Sequence, residues 1–170
     1  MTHEFRDVQF MSAAQKTTTL RAWVRFLKSG LQFEHFTKAL YDHLIQHCSF
    51  IAHYNRAGFY SHYFEAGDST GLFLSQFDTR GPCFSVEYGG HHWLSGDYAD
   101  INRAMISEGE GFIPSLLDTA HRRQEAADIA TATALLAKHG ISAEGIGKSS
   151  GTDHSTAEAP KAEQDLLPYG

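Results

Sequence analysis

Cysteine is scarce in this chain of 170 residues: Cys48 and Cys83 are too few for a disulfide framework, and no Cys-x-x-Cys pair offers zinc or redox chemistry. A reducing compartment follows, and the cytoplasm is the expected location. Long apolar runs are missing as well. Met1-Thr2-His3-Glu4-Phe5-Arg6-Asp7 is charged and leads into no hydrophobic stretch, so neither a secretory signal nor a membrane-spanning helix is expected. Basic side chains are the minority, 14 against 20 acidic ones, and the net charge of −6 disfavours broad attraction to nucleic acid or to an anionic membrane. The chain also carries no phosphate-cradling glycine loop, no Gly-x-Ser-x-Gly elbow and no dinucleotide fingerprint. Basic-aromatic interleaving of the nucleic-acid-binding kind is absent too. These absences weaken the case for an enzyme without removing it.

What the chain does contain is enough apolar material, 42%, for one substantial core. The pattern predicts a mainly α fold, a helical bundle with short aromatic helices and one small β-hairpin. Three regions are expected: a partly ordered N-terminal extension over 1–16, a helical domain over 17–141 and a disordered tail over 142–170. Met11-Ser12-Ala13-Ala14 would itself make an ordinary start, and the tail is rich in Gly, Ser, Ala, Thr, Lys and Glu without periodicity. Within the tail, Leu166-Leu167-Pro168-Tyr169 is the one candidate linear docking element.

Thr17-Thr18-Thr19 offers caps for a first helix whose buried face is marked by Leu20, Val24, Leu27 and Leu31. Arg21, Arg25 and Lys28 form a second stripe at the same period, either a solvated helix face or an anion- or partner-binding one. A long second helix is predicted from Phe33, Phe36, Leu40, Leu44, His47, Ile51 and Tyr54, with Asn55-Arg56-Ala57-Gly58 as its stop. Short helices follow at Phe59 to Phe64 and around Phe73. Alternation at Phe84, Val86 and Tyr88, then Gly89-Gly90 and His91-His92-Trp93-Leu94, reads as a hairpin. Tyr98, Ile101 and Met105 mark another helix, weakened by Glu108-Gly109-Glu110-Gly111. A last long helix is expected to open at Phe112 to Pro114 and to stop at Lys138-His139-Gly140, with Ile141 folding back.

Eleven histidines are many for this length, and His43 and His47, four apart on a helix, can face one metal ion. That spacing occurs in the His-Glu-x-x-His zinc motif, yet Leu44, Ile45 and Gln46 intervene and the general-base glutamate is missing. A metal would need further ligands from residues such as His62 and His92, and the set carried forward is His43, His47, His62 and His92. The alternative for His47, in the middle of an apolar stripe, is a buried imidazole hydrogen-bonded to a neighbouring helix. Tyr54, Asn55 and Arg56 at a helix end are candidates for binding a carboxylate or phosphate. Tyr60, Tyr63 and Trp93 belong to an aromatic set that either lines a binding pocket or fills the core.

The functional expectation is a non-catalytic cytoplasmic accessory or adaptor protein acting through protein–protein binding or self-association, without nucleic acid, membrane or cofactor. Its rival is a helical-bundle metal-binding protein or metal-dependent hydrolase using His43 and His47 and a divalent metal. An apolar-ligand pocket in the aromatic segment is a third reading.

Overall fold

The computed structural model describes residues 3–48, 50, 55–80 and 92–141. The chain divides into two compact units, Met1–Ile129 and Ala130–Gly170. The fold is mainly helical, as expected, and the described residues contain six α-helices: α1 (Ala13–Lys28), α2 (Lys38–His47), α3 (Arg56–Phe64), α4 (Gly67–Ser75), α5 (Ala99–Gly109) and α6 (Ile113–Lys138). None of the described helices is long and apolar enough to cross a membrane. The predicted tail over 142–170, Leu166 to Tyr169 included, lies outside the described residues.

The first helix begins at Ala13, ahead of the threonines expected to cap it. Ser12 is the cap: its hydroxyl accepts from the Gln15 backbone N–H, and the Gln15 side chain accepts from the Ser12 N–H, a reciprocal capping box. Thr17 and Thr18 lie inside the helix, where their hydroxyls donate back to the Ala13 and Ala14 carbonyls. The buried face runs through Lys16, Thr19, Leu20, Trp23, Phe26 and Leu27, so it is centred on Trp23 rather than on Val24. The helix closes on two successive left-handed residues, Gly30 (φ 73°) and Leu31 (φ 65°). A leucine at positive φ is strained. It is held there by burial, by its own N–H on the Phe26 carbonyl (3.0 Å) and by the Tyr60 hydroxyl donating to its carbonyl (2.7 Å).

The long second helix is broken. Phe33–His35 forms a 3-10 turn, Thr37 then caps α2 through the Leu40 N–H, and α2 ends at His47 after ten residues. Asn55 does not stop a helix but starts one: its side chain accepts from the Gly58 N–H and caps α3. Asn carries both signals, since the same short side chain serves caps and turns, and only the neighbouring chain path decides. His92–Leu94 is a 3-10 turn rather than a strand, and the rest of the expected hairpin lies outside the described residues.

α1 packs against α2 and α5, and α3 packs against α4. Between them lies a core of rings, with Trp23, Phe26, Phe36, Phe59, Phe64, Phe73 and Phe77 buried and neighbouring centroids commonly about 5 Å apart. The buried indole of Trp23 donates to the Met105 carbonyl of α5 (2.8 Å), tying α1 to α5 through the middle of the apolar layer. The end of α6 is as expected: Gly140 is left-handed (φ 68°) and the Ile141 N–H returns to the Leu136 carbonyl (2.9 Å). Burial on α6 stops at Ala120, however, and from His121 onward the helix is almost entirely exposed.

Gly67 opens α4 against the backbone of α6. A Cβ there would sit 2.6 Å from the Ala120 carbonyl oxygen and 2.7 Å from the Gln124 nitrogen, neither of which can turn aside. Gly67→Ala is therefore expected to cost about 1–3 kcal/mol. Gly109→Ala, whose Cβ would meet the mobile end of the Ile113 side chain at 2.7 Å, should cost less. Urea unfolding midpoints of the two variants measure the ordering.

Candidate functional site

The core of the first unit holds polar side chains that an apolar bundle does not require. Lys16, on the buried face of α1, is completely enclosed. Its ammonium donates to both carboxylate oxygens of Asp100 on α5 (2.7 and 2.9 Å) and to the Asp97 carbonyl (3.1 Å). Burial alone would raise the Asp100 carboxyl, but the Lys16 contact and the Ile101 N–H hold it below the usual carboxylate range. The N-terminal extension adds to this corner: the Arg6 N–H reaches Asp100, the Arg6 guanidinium reaches Asp97 and Gly96, and the Tyr98 hydroxyl donates to the Gln9 carbonyl.

Two residues further along α5, Asn102 is fully buried and serves as a hub. Its amide nitrogen donates to the backbone carbonyls of His47 and Trp93. Carbonyls only accept, so the amide cannot be flipped, and its oxygen must face the other two partners. Those are the His43 Nε2 (2.8 Å) and the Cys48 thiol (3.5 Å). His43 therefore carries its proton on Nε2, which leaves Nδ1 as a bare lone pair. That Nδ1 is buried, and no donor among the described residues reaches it.

The expected order of the two histidines is reversed by this arrangement. His43, only 2% exposed, is the buried and bonded imidazole. His47, the last residue of α2, is half-buried and stacks on the Tyr98 ring, with centroids 3.5 Å apart. Burial, aided by His47 and Lys16 nearby and opposed by the Asn102 bond, depresses His43 to about 4. Burial and Lys16 lower His47 as well. Cys48 is a free, buried thiol pushed up by desolvation, so it has no thiolate to offer as a nucleophile near neutral pH.

The His43 and His47 ring centroids are 5.2 Å apart. Among the described residues no group of three or more His, Cys, Asp or Glu side chains is placed to hold a metal ion. His62 is exposed on α3, and the His92 side chain lies outside the described residues. Of the proposed anion-binding residues, Tyr54 is likewise outside. Asn55 is spent on its cap, and the Arg56 guanidinium donates to the Phe36 carbonyl (2.7 Å) while lying over the Phe33 ring at 4.7 Å. Tyr60 is held on Leu31, Tyr63 is half-buried against Phe59, and Trp93 is buried against Phe77. Among the described residues of the aromatic segment, Phe59, Phe64, Phe73, Phe77 and Trp93 belong to the core, with Tyr60 and Tyr63 packed against it.

Among the described residues, α1 lines several hollows. A cleft of about 370 Å³ opens between α1 and α2 and includes Phe10, Met11, Ala14, Ala39, His43 and His47. Phe10 stands at its lip, 85% exposed, on a tight turn where Val8 and Met11 form an antiparallel bridge and Phe10 itself is left-handed (φ 72°). A second groove, of about 470 Å³, has an apolar floor of Phe5, Leu20 and Val24 and a rim of Arg21, Arg25 and Lys28. The carboxylate beside that groove, Glu108, is bonded to the His3 imidazole (3.0 Å), and no ion pair among the described residues neutralises Arg21, Arg25 or Lys28. No protein family model matches this chain, and no curated protein or solved structure does either.

The buried groups generate two expectations. His43 titrates at 6.5 when unfolded and at about 4 when folded, so stability that is complete above pH 6.5 declines as pH falls toward 4, by about 3 kcal/mol in all. His47 shifts in the same direction and adds to the slope, whereas Asp100 acts only below this window. Denaturant midpoints between pH 8 and 4 should show the decline, and His43→Gln should flatten it. Asp100→Asn leaves the enclosed Lys16 without its counter-charge and should cost about 3 kcal/mol at pH 7 by the same measurement.

Proposed function

We propose that this protein is a non-catalytic accessory or adaptor protein that binds a protein partner through the basic groove on α1. The observation that carries the reading is the local inversion of charge. The chain is acidic overall, at −6, yet this groove presents Arg21, Arg25 and Lys28 around an apolar floor, with its nearby carboxylate already bonded to His3. The complementary partner is a segment alternating acidic and aliphatic side chains, with carboxylates for the rim and a leucine-like anchor for Phe5, Leu20 and Val24. Such a rim raises the association rate and rejects basic competitors, while the apolar floor supplies retention.

The chemistry of the buried histidines supports the same reading. An imidazole depressed to about 4 stays neutral at physiological pH and is a poor proton acceptor, and the neighbouring thiol is held protonated. A metal-dependent activity at His43 and His47 would need further ligands, and the described residues do not bring them to that pair. The cytoplasmic setting is part of the proposal and is supported by the paucity of cysteine and by the buried free thiol of Cys48.

Fluorescence anisotropy with synthetic peptides tests the reading directly. Peptides combining Glu or Asp with Leu should bind the intact chain, weaken as salt rises, and lose at least about tenfold in affinity with Arg21→Glu and Arg25→Glu combined. Both arginines are exposed, so the variant keeps the core. Equal binding of acidic and basic peptides, or indifference to the charge reversal, would contradict the proposal.

A further inference from the structure

We infer that the basic groove on α1 takes up the protein's own segment 158–169, donated by a second copy of the chain. This assignment rests on the adaptor role proposed for that groove and names its partner. The groove asks for carboxylates to meet Arg21, Arg25 and Lys28 and for an aliphatic anchor over Phe5, Leu20 and Val24. That chemistry occurs together beyond the described residues, in Glu163-Gln164-Asp165-Leu166-Leu167. The sequence has three Leu-Leu pairs, beginning at Leu116, Leu135 and Leu166, and only the last is led by two carboxylates within three residues. From 142 to 170 the acidic residues outnumber Lys and Arg by 5 to 2, the sign opposite to that of the rim.

Spacing agrees with charge. Arg21 and Arg25 are four residues apart on α1, a rise of about 6 Å along the helix. Glu163 and Asp165 are two residues apart, about 6.6 Å on one side of an extended chain, and Leu166 falls on the other side. Laid along α1 in that form, the segment meets both arginines in step and turns Leu166 to the apolar floor. Pro168 favours the extended form, because it disfavours a helical conformation at Leu167. Lys28 bounds the groove three residues beyond Arg25, its ammonium 5.7 Å from the centre of the Phe112 ring. Glu108 is already bonded to His3 (3.0 Å), so an incoming carboxylate does not have to displace it from the arginines. A second copy is the donor for two reasons. No described residue of α6 is buried after Ala120, so a solvated helix joins the segment to the packed core. Exchange is also reciprocal: each groove receives the other's segment, a closed two-fold arrangement in which two weak contacts reinforce each other.

Two variants of the whole chain supply the test, one with the groove disabled (Arg21→Glu with Arg25→Glu) and one with the segment disabled (Asp165→Lys with Leu166→Ser). In sedimentation equilibrium the unaltered protein is expected to dimerise reversibly, and less tightly as salt rises. Each variant alone should lose at least about tenfold in self-affinity. An equimolar mixture of the two should associate again, because one copy keeps the groove and the other the segment. A labelled peptide of residues 158–169 should bind the dilute, unaltered protein saturably, and at least about tenfold more tightly than a peptide of the same composition in scrambled order. If this peptide fails to bind while other acidic, leucine-bearing peptides do, the occupant is wrong and the proposed function of the groove stands. If none of them binds, both fall. An unaltered protein that stays monomeric, or a mixture of variants that does not associate, overturns the inference. So does a segment variant that binds the peptide more tightly than the unaltered monomer does, the mark of a contact made within one chain.

Discussion

The contact on which the structure depends is the buried carboxamide of Asn102, which joins α5 to the end of α2, to the turn at Trp93 and to the His43 imidazole at once. An apolar ring cluster can pack in several registers at similar energy, because dispersion and burial are non-directional. A carboxamide with two donors on fixed carbonyls and an acceptor shared by His43 and Cys48 fits only one. Lys16 and Asp100 repeat the logic two residues away between α1 and α5, and the Trp23 indole on Met105 repeats it a third time. Three directional links therefore set the relative placement of α1, α2 and α5, while the aromatic layer supplies the bulk of the burial. The cost is desolvation of an ammonium, a carboxylate and an imidazole, which makes these links better at specifying one arrangement than at adding stability.

That placement determines what the molecule offers to others. With α1 held from inside by Lys16, Trp23 and Leu27, its outward face is free to carry Arg21 and Arg25, and its two flanks become hollows of different character. One flank is cationic over an apolar floor. The other is a cleft between α1 and α2 lined in part by His43 and His47. Both have a mixed apolar and polar surface. The N-terminal extension is integral to both, since Phe5 floors the groove and Phe10 lips the cleft.

Much of the helical architecture was legible because it rests on local rules: the period of Tyr98, Ile101 and Met105, the first-turn proline at 114, and the Lys138-His139-Gly140 stop. The break in the second helix was not, because Phe33 to Tyr54 keeps an apolar period straight through Phe36-Thr37, and Thr37 reads as a cap only once the chain path is known. The same smooth period put His47 rather than His43 at the centre of the buried face. Lys16 and Asn102 did leave a trace: Lys16 precedes Leu20, Trp23 and Leu27 on the apolar step, and Asn102 stands between Tyr98 and Met105 on theirs. A polar residue in an apolar register is the sign of a buried network. Its partners, 84 residues away for Lys16 and 59 for Asn102, belong to tertiary structure and are invisible to periodicity.

Hydrogen exchange of the Asn102 side-chain amide protons tests this account most directly. If the carboxamide is the enclosed hub that fixes α2 against α5, its two protons exchange only through global unfolding, with the same protection free energy as the slowest backbone amides of α1 and α5. Exchange of those protons within minutes under native conditions, while the backbone amides stay protected, would show that the hub opens on its own and would contradict it.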